Sequence, residues 1–222
     1  MSGKLIVLEG LDGCGKATQA QRLYENLCAR GARAHKLSFP CYGEESSALV
    51  RLYLGGAFGE HPDDVNGYAS SVFFGVDRYA SYKSHWEKDY RNGDVFVCDR
   101  YTTSNAVFQT NKLPRRQWDG FLDWLYDFEY NKLGIPRPDL VVFLDLSPET
   151  GSALMRKRYA GDEEKKDIHE RDLAYQEKCR QAARYCAAHQ GWKTVRCDAD
   201  GALRAIDDIA ADVLRLTTEV LG

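Results

Sequence analysis

The sequence predicts an α/β fold built on a five-stranded parallel sheet with helices on both faces. Three observations carry this. Short β-branched and apolar runs alternate with longer helical patterns. The runs are continuous in their hydrophobicity, as in strands buried on both faces. The first run passes through a cluster of glycines straight into a helix. With 222 residues, 44% of them hydrophobic, the chain can bury one sizeable core. It contains no internal repeat, low-complexity tract or Pro/Ser-rich linker, so one domain over residues 1–222 is expected.

The elements follow in order. "KLIVLEG" (Lys4–Gly10) reads as the first strand and "ATQAQRLYENLCARG" as the helix behind it. "ARAHKLSF" is the second strand, and a long, mostly helical span runs from Ser46 to Tyr90. "DVFVCD" ends the third strand at Asp99, "PDLVVFLDL" is the fourth, and "WKTVRCD" the fifth, followed by a last helix from Gly201 to Leu221. Between the fourth and fifth lies "MRKRYAGDEEKKDIHERD", dense in charge. The two long insertions are where a doubly wound sheet carries its specificity.

Composition excludes several classes. A formal net charge of −3 offers no global attraction to nucleic acid or an acidic membrane, so anion binding must be local. The opening apolar run, Leu5 to Leu8, is too short for a signal peptide or membrane span, and a cytoplasmic protein is expected. Seven cysteines, Cys14, Cys28, Cys41, Cys98, Cys179, Cys186 and Cys197, are odd in number and lack metal spacing. Reduced thiols are the expected state.

The stretch "LEGLDGCGKATQ" carries the chemistry. A polyphosphate needs several backbone N–H groups aimed at it, a helix N-terminus and one mobile cation. Gly10, Gly13 and Gly15 permit the first, and Lys16 supplies the last, with Cys14, Ala17 and Thr18 completing the loop. Ala17 stands where a magnesium-binding hydroxyl is expected. Mg²⁺ readily keeps waters, so a water can fill that place if a carboxylate anchors the shell. Asp99 is the candidate anchor, at the C-terminal end of a buried strand, and capping of the helix near Thr103 is its other reading. Arg100 beside it offers a planar fork for phosphate. Phe74 and Arg78, four apart, share a helix face and pair a stacking surface with donors suited to a base and its carbonyl. A core Phe74 with a solvated Arg78 is the alternative. For Asp12 a turn-stabilising role is the alternative reading.

Taken together, these motifs resemble the thymidylate kinase family. "GLDGCGK" is similar to its P-loop, "DRYTTSNAVFQ" to its Asp-Arg-Tyr/His-x-x-Ser…Gln segment, and "VFFGVDR" to its Phe-x-x-x-Arg helix. "SFP", "RPDLVVFLDLSPE" and the charged segment before "DIHE" extend the likeness in order. The resemblance implies a P-loop nucleoside monophosphate kinase fold and transfer of a phosphoryl group from MgATP to dTMP, giving dTDP. It implies ATP binding by Gly10, Gly13, Cys14, Gly15, Lys16, Ala17 and Thr18. The dTMP site would comprise Asp12, Phe39, Pro40, Phe74, Arg78, Arg100, Ser104 and Gln109. Phe74 would stack on thymine, Arg78 would donate to its O4, Gln109 would read the base edge, and Asp12 would lie near the sugar 3′-hydroxyl. A homodimer is typical of the family.

Two departures matter. After "FP", where eukaryotic members carry Glu-Arg, this chain has Cys41-Tyr42, so acceptor phosphate binding rests on Arg100, with Arg51 as a possible helper. No arginine follows Asp12 in the loop, a pattern closer to the bacterial type. A lid at about 156–168 would then supply the cation through Arg158 and Arg156, closing around Gly161. A deoxynucleoside kinase using Asp99 as base, or a nucleotide-binding regulator without catalysis, are the competing readings.

Overall fold

The computed structural model describes residues 2–158, 169, 173–199 and 202–222, the side chains of 155–158 and 173 excepted. Five strands form one parallel sheet: β1 (Lys4–Gly10), β2 (Ala34–Ser38), β3 (Val95–Asp99), β4 (Leu140–Asp145) and β5 (Lys193–Arg196). Their order is β2-β3-β1-β4-β5. From β1 the chain runs to the edge strand β2, returns to place β3 between the two, and then crosses to β4 and β5 on the other side. The crevice at the carboxyl ends of β1, β3 and β4 is the topological switch point, where ligands of such sheets bind.

Alternation along β1 explains the layers. Leu5 and Val7 face one core, and Ile6 and Leu8 face the other. The first core is closed by α5 (Thr102–Phe108), α6 (Trp118–Tyr126) and α8 (Leu173–His189), the second by α1 (Lys16–Ala29) and α9 (Ile206–Leu221). In α9, Ile209, Val213, Leu216 and Thr217 are buried, the i, i+4, i+7, i+8 stripe of a helix lying on a sheet. Every residue of β4 is buried, as the continuous run "LVVFLD" requires.

The span between β2 and β3 is helical, as expected: α2 (Ala48–Leu54), α3 (Gly67–Ser81) and α4 (Glu87–Arg91), with a π turn at Tyr82–Trp86. A second π turn at Asp127–Lys132 extends α6. After β4, α7 (Pro148–Arg158) leads toward the charged insertion. The sequence reading did not anticipate α6 or a small antiparallel pair, β6 (Asp198–Ala199) and β7 (Ala202–Leu203). In α6 the buried Phe121, Leu122 and Leu125 do keep helical spacing, a signal passed over, whereas the pair has only two residues in each strand. The seven cysteines are free thiols. Among the described residues, no helix is long and apolar enough to cross a membrane.

Candidate active site

β1 ends in a loop whose glycines have the conformations that the motif demands. Gly13 and Gly15 lie at φ 79° and 87°, accessible to glycine at no steric cost. Gly15 caps α1, and no side chain occupies the cap position or adds an acidic group to the first turn. The helix N-terminus thus keeps its N–H groups and positive end for an anion. Lys16 is buried and folds back, donating from Nζ to the Leu11 carbonyl at 2.7 Å. Cys14 packs inward, and burial raises its thiol pKa. Gly13 also meets α7: a Cβ there would lie 2.5 Å from the Gly151 carbonyl oxygen, and one on Gly151 would lie 2.8 Å from that of Asp12.

Arg100, the first residue after β3, is the one non-glycine with positive φ among the described residues, at 67°. Such a conformation costs on the order of 1–3 kcal/mol and persists only where the surroundings over-determine it. They do so here. Its guanidinium donates to Glu9 Oε1, the Gly10 carbonyl and Ser104 Oγ, each at 3.3 Å, and to Asp12 Oδ1. It also lies 5.0 Å from the centroid of the Phe108 ring. Glu9 is fully buried, and its carboxylate accepts from Thr103 Oγ1 (2.7 Å), Ser104 Oγ (2.8 Å) and the Gly10 N–H (2.9 Å). Burial would raise the pKa of Asp12, but Arg100, Lys16 and a hydrogen bond from Gln176 outweigh it, and the carboxyl is held below its ordinary range.

A cavity of about 120 Å³ opens beside this group. Asp12, Phe39, Pro40, Phe74, Arg78, Arg100, Ser104 and Gln109, all eight residues expected to contact an acceptor, line it. Tyr42, Leu54, Tyr101, Asn105, Phe108 and His169 complete the wall. Tyr101, Asn105 and Phe108 were legible from helical spacing, since they fall at i, i+4 and i+7 on the face that also carries Ser104. Leu54 had no such signal. Asp77 supports the "FPCY" turn from α3, accepting from Cys41 N–H at 2.8 Å and Ser46 Oγ at 2.7 Å.

Several expectations need correction. Arg78 is neither solvated nor an open fork. It is almost wholly buried, and its Nε donates to Glu129 Oε2 at 2.7 Å while Nη2 meets Oε1. Glu129 sits in the π turn after α6 and also accepts from Thr102 Oγ1 and Asn105 Nδ2. Arg51 does not line the cavity. Its Nη1 donates to the carbonyls of Tyr42 and Glu44 at 2.9 Å, so it orders the turn instead of offering itself to a phosphate. Asp99 does not cap α5, whose N-cap Tyr101 has no side-chain cap bond. The Asp99 carboxylate is half-buried at the crevice. The expected lid at about 156–168 begins in the last turn of α7, and its remainder, with the side chains of Arg156 and Arg158, lies outside the described residues.

Comparison with known proteins agrees with this geometry. A family model described as "Thymidylate kinase" matches residues 8–208. A thymidylate kinase of Mycobacterium tuberculosis is 33% identical over 191 residues, covering 85% of this chain and 87% of that protein. The human thymidylate kinase is 37% identical over 145 residues, 65% of this chain and 61% of its own. That of Caenorhabditis elegans is 28% identical over 225 residues, 96% and 89% respectively.

Two predictions follow from the site's geometry. Gly13→Ala forces a side chain into both a left-handed backbone and the Gly151 carbonyl; a stability loss of about 1–3 kcal/mol in urea unfolding, with a raised KM for ATP, is expected. A Gly13→Ala protein of parental stability would refute the contact. For the buried pair, Arg78→Ala strands Glu129 and should cost about 3–5 kcal/mol of stability, so its effect on substrate binding is readable only alongside an unfolding curve. Arg78→Met with Glu129→Leu should be far less destabilising than the single change.

Proposed function

The chain belongs to the thymidylate kinase family, and from that premise we propose that it transfers the γ-phosphoryl group of ATP to dTMP, giving dTDP. The observation that carries the reading is the single cavity in which all eight expected acceptor residues meet, with Asp12 and Arg100 at its junction with the phosphate loop.

The chemistry asks little of a base. The acceptor phosphate is already an anionic nucleophile, so positioning and neutralisation carry the reaction. Lys16 swings from the Leu11 carbonyl to the transferring phosphates. Arg100, pinned by Glu9 and Asp12, addresses the acceptor phosphate at the cavity mouth. Phe74 and Gln109 receive the base. The ionised Asp12, already bonded to Arg100 and to Gln176 Nε2 (3.3 Å), is the acceptor for a sugar hydroxyl.

The donor set suits Mg²⁺, which is held by one or two carboxylates together with substrate phosphates and water. Asp99 would hold it, and water would stand in for the hydroxyl missing at Ala17. When bound, the ion neutralises charge on the phosphates. The contact between Gly13 and Gly151 leaves no room for a side chain at position 13 of the loop. This supports a lid cation from Arg158 and Arg156, as in the bacterial type. On the deoxynucleoside kinase reading Asp99 would be the base, and it is not among the cavity walls; the carboxylate that is, Asp12, is paired with Arg100. The free thiols accord with a cytoplasmic location.

A homodimer is also proposed. Tyr68, Val76 and Tyr79 are 41%, 44% and 39% exposed and form one stripe along α3, the apolar face a second copy would cover. Val76→Glu should shift the protein to monomer in sedimentation, and a parental mass would place the interface elsewhere.

Turnover assays with dTMP, thymidine and no acceptor separate the kinase from its two competitors. In the same assay Lys16→Ala should abolish turnover, and Asp99→Asn should be severe, with Ala17→Ser altering magnesium dependence only modestly. Replacing Arg156 and Arg158 together by alanine should lower kcat by about 10²-fold or more. Parental magnesium response in Asp99→Asn would remove the anchor, and an unchanged kcat in the double variant would make the lid a cover only.

A further inference from the structure

Lys112 lies just beyond α5, half-buried and outside the cavity. An ammonium has three donors, and each meets an acceptor: Tyr53 Oη at 2.8 Å, the Val65 carbonyl at 2.9 Å and Ser70 Oγ at 3.4 Å. Two of these acceptors lead onward to the cavity wall. Tyr53 Oη lies 2.8 Å from Nε2 of His169, and Ser70 Oγ donates to Gln109 Oε1 at 2.7 Å. The third, Val65, precedes Asn66, the N-cap of α3.

From this geometry we propose that Lys112 is a positioning residue for the acceptor nucleotide, orienting Gln109 through Ser70 and His169 through Tyr53. The proposal rests on the acceptor reading of the cavity. Its chemical content is a choice of orientation. The Ser70 hydroxyl has one proton and lies 2.7 Å from Gln109 Oε1 and 2.9 Å from the Asn66 carbonyl; turned to Gln109 it occupies the amide oxygen, and the amide N–H₂ is then the end left to address a base. That donor suits an oxo-pyrimidine and opposes an amino-pyrimidine at the same edge. Lys112 donating to Tyr53 Oη leaves the phenolic hydrogen for Nε2 of His169 at 2.8 Å or the Pro62 carbonyl at 3.5 Å, and so couples Lys112 to the imidazole through one hydroxyl. The ring is stacked on Phe108, with centroids 5.4 Å apart, and burial and the nearby Lys112 lower its pKa to about 3, so it stays neutral.

The pH dependence separates positioning from mere support. Burial lowers the Lys112 pKa to about 7, against the opposing pull of Asp63 and Cys179. The other groups against it are the neutral His169 and the hydroxyls of Tyr53 and Ser70. In the unfolded chain lysine keeps its proton to its ordinary range, so above about 7 the unfolded state binds more protons and stability rises with pH. Positioning runs the other way. A neutral amine has two donors for three acceptors, so the acceptor site loosens as stability improves.

The test measures KM for dTMP and ATP, the preference for dTMP over dCMP, and Tm from about pH 6 to 9, in the parent, Lys112→Met and Ser70→Ala. Lys112→Met should raise the KM for dTMP about tenfold, leave that for ATP within about twofold, and abolish the parent's fall in kcat/KM for dTMP through about pH 7. Ser70→Ala frees the Gln109 amide to turn and should lower the dTMP preference about tenfold. A folded Lys112→Met with parental dTMP kinetics would overturn the proposal. If that variant does not fold, an unchanged preference in Ser70→Ala overturns it instead. Absence of dTMP turnover in the parent would fell the kinase reading itself, a distinct result.

Discussion

A carboxylate removed from water, Glu9, sits where the central strand ends, and the active end of the molecule is assembled around it. An isolated buried charge is prohibitively costly unless paired and hydrogen-bonded. Glu9 is both, through Thr103, Ser104, its neighbouring amide and Arg100. That pairing offsets the left-handed backbone of Arg100 and carries its guanidinium across the top of β1 to Asp12. Strand register makes this possible, because Leu8 lies opposite Asp99 and Arg100, the first residue after β3, consequently falls beside Glu9 near the end of β1.

The first turn of α5 satisfies a second buried carboxylate as well. Thr103 and Ser104 serve Glu9, while Thr102 and Asn105 serve Glu129, which holds Arg78. Consecutive hydroxyls around one helical turn thus tie the Arg100 end of the cavity to its Arg78 end. The "TTSN" sequence has low helix propensity, and the hydrogen bonds to both carboxylates explain why a helix starts there regardless.

The sheet was readable because β-branched runs buried on both faces leave a continuous apolar signature, and the phosphate loop because glycines and a lysine keep fixed spacing. The walls of the cavity were readable through motifs whose members lie within one helix or turn. What remained hidden were pairs joined only by the fold. Glu129 is 51 residues from Arg78 and His169 is 116 from Tyr53, and no local pattern links them. Arg51 illustrates the reverse error, since a surface guanidinium near the site looked available until its carbonyl partners were seen. Glu9 did leave a trace: an acidic residue inside an otherwise apolar buried strand demands partners, and that demand is itself a sequence signal.

The reciprocal contact of Gly13 with Gly151 constrains how this active site can evolve. An arginine at position 13 collides with α7 unless α7 has first retreated, and a larger residue at 151 strains the loop unless the loop has first shifted. Each glycine therefore fixes the other, and substitutions at the two positions are epistatic. A side chain at position 13 cannot be accommodated in one step. The route to it passes through a rebuilt α7 start, so packing of the loop against α7, rather than the chemistry of the loop, decides what this position can hold.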